Sequence, residues 1–185
     1  MKQSIIGITG PAGAGKGVVV EYLSKKGFTH FSVRAFLTEE ITKRKLPLNR
    51  DSMIEVANDL RQKHGPSYII EQLYMQALQS GKPSIIESIR AVGEVSALRE
   101  KPHFILLAID ADQQVRYQRI TSRGNETDSV TFEAFALQEE KEMKNDDMYK
   151  QNVALCMKMA DYHIDNNSTF EALHEQIDSI IGETK

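Results

Sequence analysis

The chain has 185 residues, 41% apolar and 26% charged, with a net charge of −3 and a pI near 6.0; this suits one globular domain and supplies no basic field that would draw nucleic acid. Its longest apolar stretches, such as residues 104–109, fall far short of the ~18 to 20 residues that cross a bilayer. A single cysteine, Cys156, excludes an internal disulfide framework, and the lack of a Cys or His cluster beside it argues against a zinc site.

The first predicted strand covers residues 3–9. Lys2 leads through it into a glycine-rich loop without the pattern of a signal peptide, so the expected location is the cytoplasm. The loop, Gly10-Pro11-Ala12-Gly13-Ala14-Gly15-Lys16-Gly17, fits GxxxxGK between a strand and a helix. Small residues there let successive main-chain N–H groups close around phosphate oxygens, and the helix that follows adds its own unpaired N–H groups and the positive end of its dipole. Lys16 adds a full charge. A plain turn would need neither the lysine nor Gly15 and Gly17 in a first helical turn, where each costs about 1 kcal/mol relative to alanine. The chain is therefore expected to bind a nucleoside triphosphate through Gly10, Ala12, Gly13, Ala14, Gly15, Lys16, Gly17 and Val18.

Further strands are predicted over residues 28–33, 83–89, 103–109 and 161–165, with helical spacing between them. Strands alternating with helices imply an α/β fold with a parallel sheet covered on both faces. Residues 34–80 insert about three helices where one would suffice. One contains Met53, Ala57 and Leu60, with Asp51 or Ser52 as its cap. Another contains Ile69, Ile70, Leu73, Tyr74, Ala77 and Leu78, with Pro66 in its first turn. Residues 121–131 are polar, include Gly124 and read as a short lid. Phe170, Leu173, Ile177 and Ile180 form a last apolar stripe, capped by Ser168.

Ligands of open α/β sheets gather outside the carboxyl ends of the strands, which puts Glu87 beside the loop and Arg90 just beyond. A carboxylate there can hold waters of a magnesium ion or orient an attacking hydroxyl; alone it would read as an exposed strand-end charge. Arg90 can also pair with Glu94. Arg119 and Arg123, four apart, share one helix face at the entrance to the lid and suit a phosphate clamp, although cations near a helix C-terminus also favour the dipole. Within the insert, Arg34, Arg44, Arg50 and Arg61 are the basic residues that can meet an acceptor. Arg44 reads as part of a solvated face, and Arg61 falls where two insert helices meet. His64 reads as a helix-ending residue before Gly65, and Asp146 and Asp147 as a solvated turn.

Taken in order, these pieces resemble the P-loop nucleoside monophosphate kinase group, closest to the small adenylate-kinase-like and dephospho-CoA-kinase-like proteins of archaea and some bacteria. Residues 10–17 match its GxPGxGKG loop, residues 31–33 through 39–40 the opening of its acceptor lobe, and Leu60-Arg61 with Gly65-Pro66 its LR…GP signature. Glu87-Ser88-Ile89-Arg90 occupies the place of DGxR, Arg119 and Arg123 match the lid arginines, and residues 160–162 and 166–169 resemble the closing segments. The resemblance covers nearly the whole chain. It implies a three-layer P-loop kinase fold with a five-stranded parallel sheet, in which residues 1–33, 81–120 and 132–185 form the core, 34–80 a helical acceptor-binding insert and 121–131 the lid. It also implies ATP as donor and Mg2+ as cofactor, Glu87 holding the metal through water, Asn166 contributing to the nucleotide site, and Arg34, Arg61 and Arg90 meeting the acceptor. Gly17 and Val18 stand where related loops supply a hydroxyl, and Arg34, Ala35 and Thr38 replace the usual acceptor-lobe residues.

The leading expectation is ATP-dependent phosphoryl transfer to a nucleotide-like acceptor, most simply a nucleoside or deoxynucleoside monophosphate. Lys16, Glu87, Arg119 and Arg123 would be the catalytic groups. Competing readings are phosphorylation of the ribose hydroxyl of dephospho-CoA, and an ATP-dependent assembly factor with a protein or RNA partner. Fold alone does not choose among them.

Overall fold

The computed structural model describes residues 4–123, 131–144 and 151–183. Five parallel strands, β1 (Ile5–Thr9), β2 (Thr29–Ser32), β3 (Ser84–Glu87), β4 (Phe104–Asp110) and β5 (Tyr162–Asp165), form one sheet in the order β2-β3-β1-β4-β5. All five agree with the sequence expectation, each within two residues of its bounds. Side chains alternate across a strand, and neighbours in sequence go to opposite cores. Ile6, Ile85 and Leu107 pack on α1 (Lys16–Lys25) and α9 (Phe170–Glu183), whereas Ile5, Ile86 and Leu106 pack on α4 (Tyr68–Ser80), α5 (Val92–Arg99) and α8 (Val153–Lys158). The consecutive apolar residues within β1, β3 and β4 are thus explained by burial on both faces.

Three helices connect β2 to β3: α2 (Val33–Lys43), α3 (Arg50–His64) and α4. Leu37, Ile41, Val56, Ala57, Leu60 and Ile69 make a core of their own. Val33 and Phe36 touch both this core and that of the sheet, which joins the two. The apolar stripe of α4 is broad because it is covered twice, by the sheet at Ile70, Leu73, Tyr74 and Ala77 and by its helical neighbours at Ile69. Arg44 does more than face solvent: its Nε donates to Glu40 at 2.9 Å and its Nη1 to Asp59 at 2.7 Å, tying α2 to α3. Two further helices, α6 (Gln113–Thr121) and α7 (Phe132–Met143), flank residues 124–130. Those residues, which make up most of the expected lid, lie outside the described residues, as do Asp146, Asp147 and the side chain of Arg50.

Three helix starts differ from the sequence expectation. The cap of α3 is Asn49, whose side-chain oxygen accepts the Ser52 N–H at 2.9 Å, so Asp51 and Ser52 lie inside the helix and Ser52 is buried. Pro66 precedes α4 by two residues instead of occupying its first turn. Ahead of α9 it is Thr169, not Ser168, whose hydroxyl accepts a main-chain N–H, that of Ala172. At α3 and α9 several capping residues stand close together, and the tertiary path of the incoming chain selects among them. Asn49→Ala should lower the free energy of unfolding by about 1 kcal/mol, measured by denaturant titration; an unchanged midpoint and slope would contradict the assignment of this cap.

Candidate active site

The carboxyl ends of β1 and β3 lie side by side, with Ile8 in register with Glu87. The chain leaving β1 turns through residues 10–15 into α1, whose cap residue is Gly15 with φ 98° and no side-chain hydrogen bond. No acidic residue occupies the first turn of α1, so the positive end of this helix is left to an outside anion. The loop is pressed from behind. A Cβ on Gly13 (φ 78°) would stand 2.5 Å from the carbonyl oxygen of Arg116, and one on Gly15 would stand 2.2 Å from the side-chain nitrogen of Asn166. Gly17 differs, because a Cβ there would meet nothing within 4 Å; its lack of a side chain answers to no neighbour within the protein.

Lys16 folds back on its own loop, donating to the carbonyls of Gly10 at 2.7 Å and Pro11 at 2.6 Å. Burial, reinforced by the charge of Arg90, lowers its ammonium to a pKa of about 8. Glu87 stands at the end of β3 on the α1 side of the sheet, two residues beyond Ile85. His30, in register with Ile85, reaches it across the β2–β3 pair at 3.4 Å. The hydrogen bond from His30 and the charges of Lys16 and Arg90 outweigh partial burial and hold the Glu87 carboxyl below its usual range. Ser88, the next residue, adopts φ 70°. That left-handed turn ends β3, at a position where the kinase resemblance expects glycine.

Two cavities open at this end of the sheet. The larger, about 640 Å³, is bordered by Gly15, Val18, Arg119, Arg123, Asn166 and Phe170. Arg119 donates through Nη2 to the main-chain oxygen of Asn166 at 2.8 Å, while its Nη1 is buried without a hydrogen-bond partner among the described residues. A buried guanidinium nitrogen without an acceptor, beside an uncapped helix start, fits an anionic ligand. Asn166 is 4% exposed and its amide donates to the carbonyl of Ala14 at 2.8 Å, so this side chain braces the loop. The smaller cavity, about 380 Å³, is bordered by Arg61, Ser88, Arg90, Glu94, Lys141 and Glu142. Arg61 and Arg90 therefore come together as expected. Arg34 does not join them: it is exposed on the first turn of α2 and borders neither cavity. Nor is Arg90 paired through its side chain with Glu94. Glu94 instead takes the main-chain N–H groups of Arg90 at 3.0 Å and Ala91 at 3.2 Å, capping α5, and burial raises its carboxyl above the usual range.

Several residues central to this geometry were not singled out in the sequence. Arg116, 5% exposed, grips Glu139 of α7 with two bonds of 2.9 and 2.6 Å and donates to the loop carbonyl of Ala12 at 3.3 Å. His30 and Glu142 complete the list. Among the described residues there is no cluster of three or more His, Cys, Asp or Glu side chains that would hold a metal directly. Glu87, ionised beside the loop, fits a metal held through water.

Because the Lys16 ammonium is depressed to about 8, a triphosphate that favours its charged form should draw a proton onto it at alkaline pH. Titrating ATP near about pH 9, in buffers of different ionisation enthalpy, should reveal proton uptake that disappears towards about pH 7. Binding without proton exchange at both values would contradict the lysine's altered acidity.

Comparison with known proteins agrees with this architecture. A family model described as an AAA domain matches residues 6–145. The UPF0200 protein MJ1399 of Methanocaldococcus jannaschii is 29% identical over 97% of this chain and 89% of its own. Among solved structures, TT1252 from Thermus thermophilus superposes with a TM-score of 0.62 at 21% identity, covering all of both chains. Dephospho-CoA kinase from Campylobacter jejuni superposes with a TM-score of 0.57 at 14% identity, covering 100% of this chain and 99% of its own. With its GxxxxGK loop set between β1 and α1 of a five-stranded parallel sheet, the chain belongs to the AAA domain family and has the fold of the P-loop kinases.

Proposed function

We propose that the protein is an ATP-dependent phosphotransferase, taking the donor at the loop and the larger cavity and a nucleotide-like acceptor at the smaller one. The single observation that carries this reading is the pairing of an uncapped, glycine-shaped helix start with the buried nitrogen of Arg119 that has no partner among the described residues. The main-chain amides of Gly13 and of residues 15–17 hold the donor's phosphates, and Lys16 exchanges the carbonyls of Gly10 and Pro11 for phosphate oxygens. Arg119 and Arg123 offset charge on the transferred group, and Arg61 and Arg90 orient the acceptor's anionic end. Magnesium, when bound, neutralises charge between the donor phosphates, and Glu87 is the residue to hold it through water.

A nucleoside or deoxynucleoside monophosphate is the simplest acceptor, since its phosphate is already ionised and needs no base. A second reading, transfer to a hydroxyl such as the ribose of dephospho-CoA, would use Glu87 as an ionised carboxylate that accepts a hydrogen bond from the hydroxyl and orients it. A coupled assay over nucleoside monophosphates and dephospho-CoA separates the two. Tight ATP binding without transfer to any member would contradict both and turn attention to an ATP-gated assembly factor. With an active acceptor in hand, Lys16→Ala should weaken ATP binding about tenfold or more by loss of charge-assisted bonds. Glu87→Gln should lower turnover by about a hundredfold with ATP affinity nearly unchanged. Full turnover in Glu87→Gln would remove this carboxylate from the reaction.

A further inference from the structure

Among the described residues, three other than glycine adopt a left-handed backbone: Lys45 (φ 57°), Ser88 (φ 70°) and His103 (φ 65°). Lys45 and His103 are exposed in connecting turns and border neither cavity. Ser88 is partly buried and borders the smaller cavity, together with Arg61 and Arg90. Its neighbours hold it in place. Glu87 closes the β3 ladder in register with Ile8 and Ser32, the main-chain N–H of Ile89 donates to the carbonyl of Ile8 at 3.3 Å, and that of Arg90 donates to Glu94 at 3.0 Å. Glycine would take this turn at no steric cost, whereas a side chain in it is strained. The serine hydroxyl has no hydrogen-bond partner among the described residues, so no such bond offsets that strain.

We propose that the Ser88 hydroxyl is an acceptor-binding group, donating a hydrogen bond to an anionic oxygen of the acceptor that Arg61 and Arg90 draw into the smaller cavity. This rests on the reading of that cavity as the acceptor site. Backbone strain persists where the surroundings over-determine it, and here it coincides with an open cavity and an unpaired donor. The place in the chain suits the reaction, since Ser88 directly follows Glu87, the residue to hold magnesium through water, and stands two before Arg90. The hydroxyl adds a donor to those of the two guanidiniums and carries no charge of its own. Its removal therefore deletes one hydrogen bond and leaves the formal charge of the cavity unchanged.

The test uses the full chain and its Ser88→Ala and Ser88→Gly variants, each titrated with inorganic phosphate. The readout is the Nε–H signal of Arg90 in 15N NMR, identified by its loss in Arg90→Lys, so that phosphate taken up by the amide loop is not counted. Both variants should bind phosphate about tenfold more weakly, the loss expected for one hydrogen bond to a charged group. Their stabilities should diverge. Glycine relieves the left-handed turn, so Ser88→Gly should match or exceed the native thermal midpoint, whereas alanine keeps the strain and should not raise it. Weaker binding in a protein at least as stable as the native one is a result that a purely structural serine would not give. Native affinity in Ser88→Ala, return of native affinity in Ser88→Gly, or no phosphate response at Arg90 in the native chain would overturn the inference. MgATP affinity should stay within about twofold in both variants, because Ser88 borders only the smaller cavity. Intact MgATP binding beside any of the overturning results removes the role of Ser88 and leaves the donor site standing, whereas a native chain that binds no MgATP fells the kinase reading and this inference with it.

Discussion

The structure depends on a loop that has no room behind it. Between β1 and α1 the chain must turn sharply while its back rests against a carbonyl of α6 at Gly13 and the amide of Asn166 at Gly15. Those two contacts leave no space for a Cβ, and both residues take left-handed dihedrals that side chains resist. With the carbonyls and side chains of neighbouring elements on one side, the N–H groups at the start of α1 are left to the other. The loop's cation is held in readiness at the same place, folded on carbonyls it can exchange for phosphate oxygens. Partial burial of that ammonium has an electrostatic cost, which a bound polyanion reverses.

The bracing continues outward along α6 and α7. The Arg116–Glu139 pair is nearly excluded from solvent, and its guanidinium also reaches Ala12 in the loop. Such a pair contributes little net stability once desolvation is counted, but breaking one partner leaves the other charge uncompensated, and so it defines a geometry. Through it, the position of α7 is linked to the loop at one point and to the smaller cavity at Glu142. The phosphate loop and the smaller cavity therefore share a supporting helix.

Much of this was legible in the amino-acid order because it rests on local rules. The strands announce themselves through runs of Ile and Leu, the loop through glycine spacing, and the positions of Glu87 and Arg90 through their place at a strand end. The residues that escaped notice owe their roles to distant partners. Arg116 looks like any helix charge until Glu139, 23 positions away, closes on it. His30 gains meaning only from the parallel register that sets it beside Glu87, and Glu142 only from the docking of α7 against Arg90. Arg34 carries a charge that suggests a cleft, whereas the path of α2 leaves it in solvent, bordering neither cavity. Asn166 showed a polar residue at the right place, whereas its contact with Ala14 reveals what that polarity serves. Ser88 in a left-handed turn is a position where backbone geometry, set by the fold, overrides residue preference.

The central claim is that main-chain amides at the start of α1 grip a polyphosphate. Hydrogen exchange of the full chain, with and without MgATP, addresses it at the atoms concerned. Strong slowing confined to the amides of residues 13–18 and their immediate supports is the expected result. Unchanged exchange in that segment under saturating nucleotide, with the protein folded, would contradict the account at its foundation.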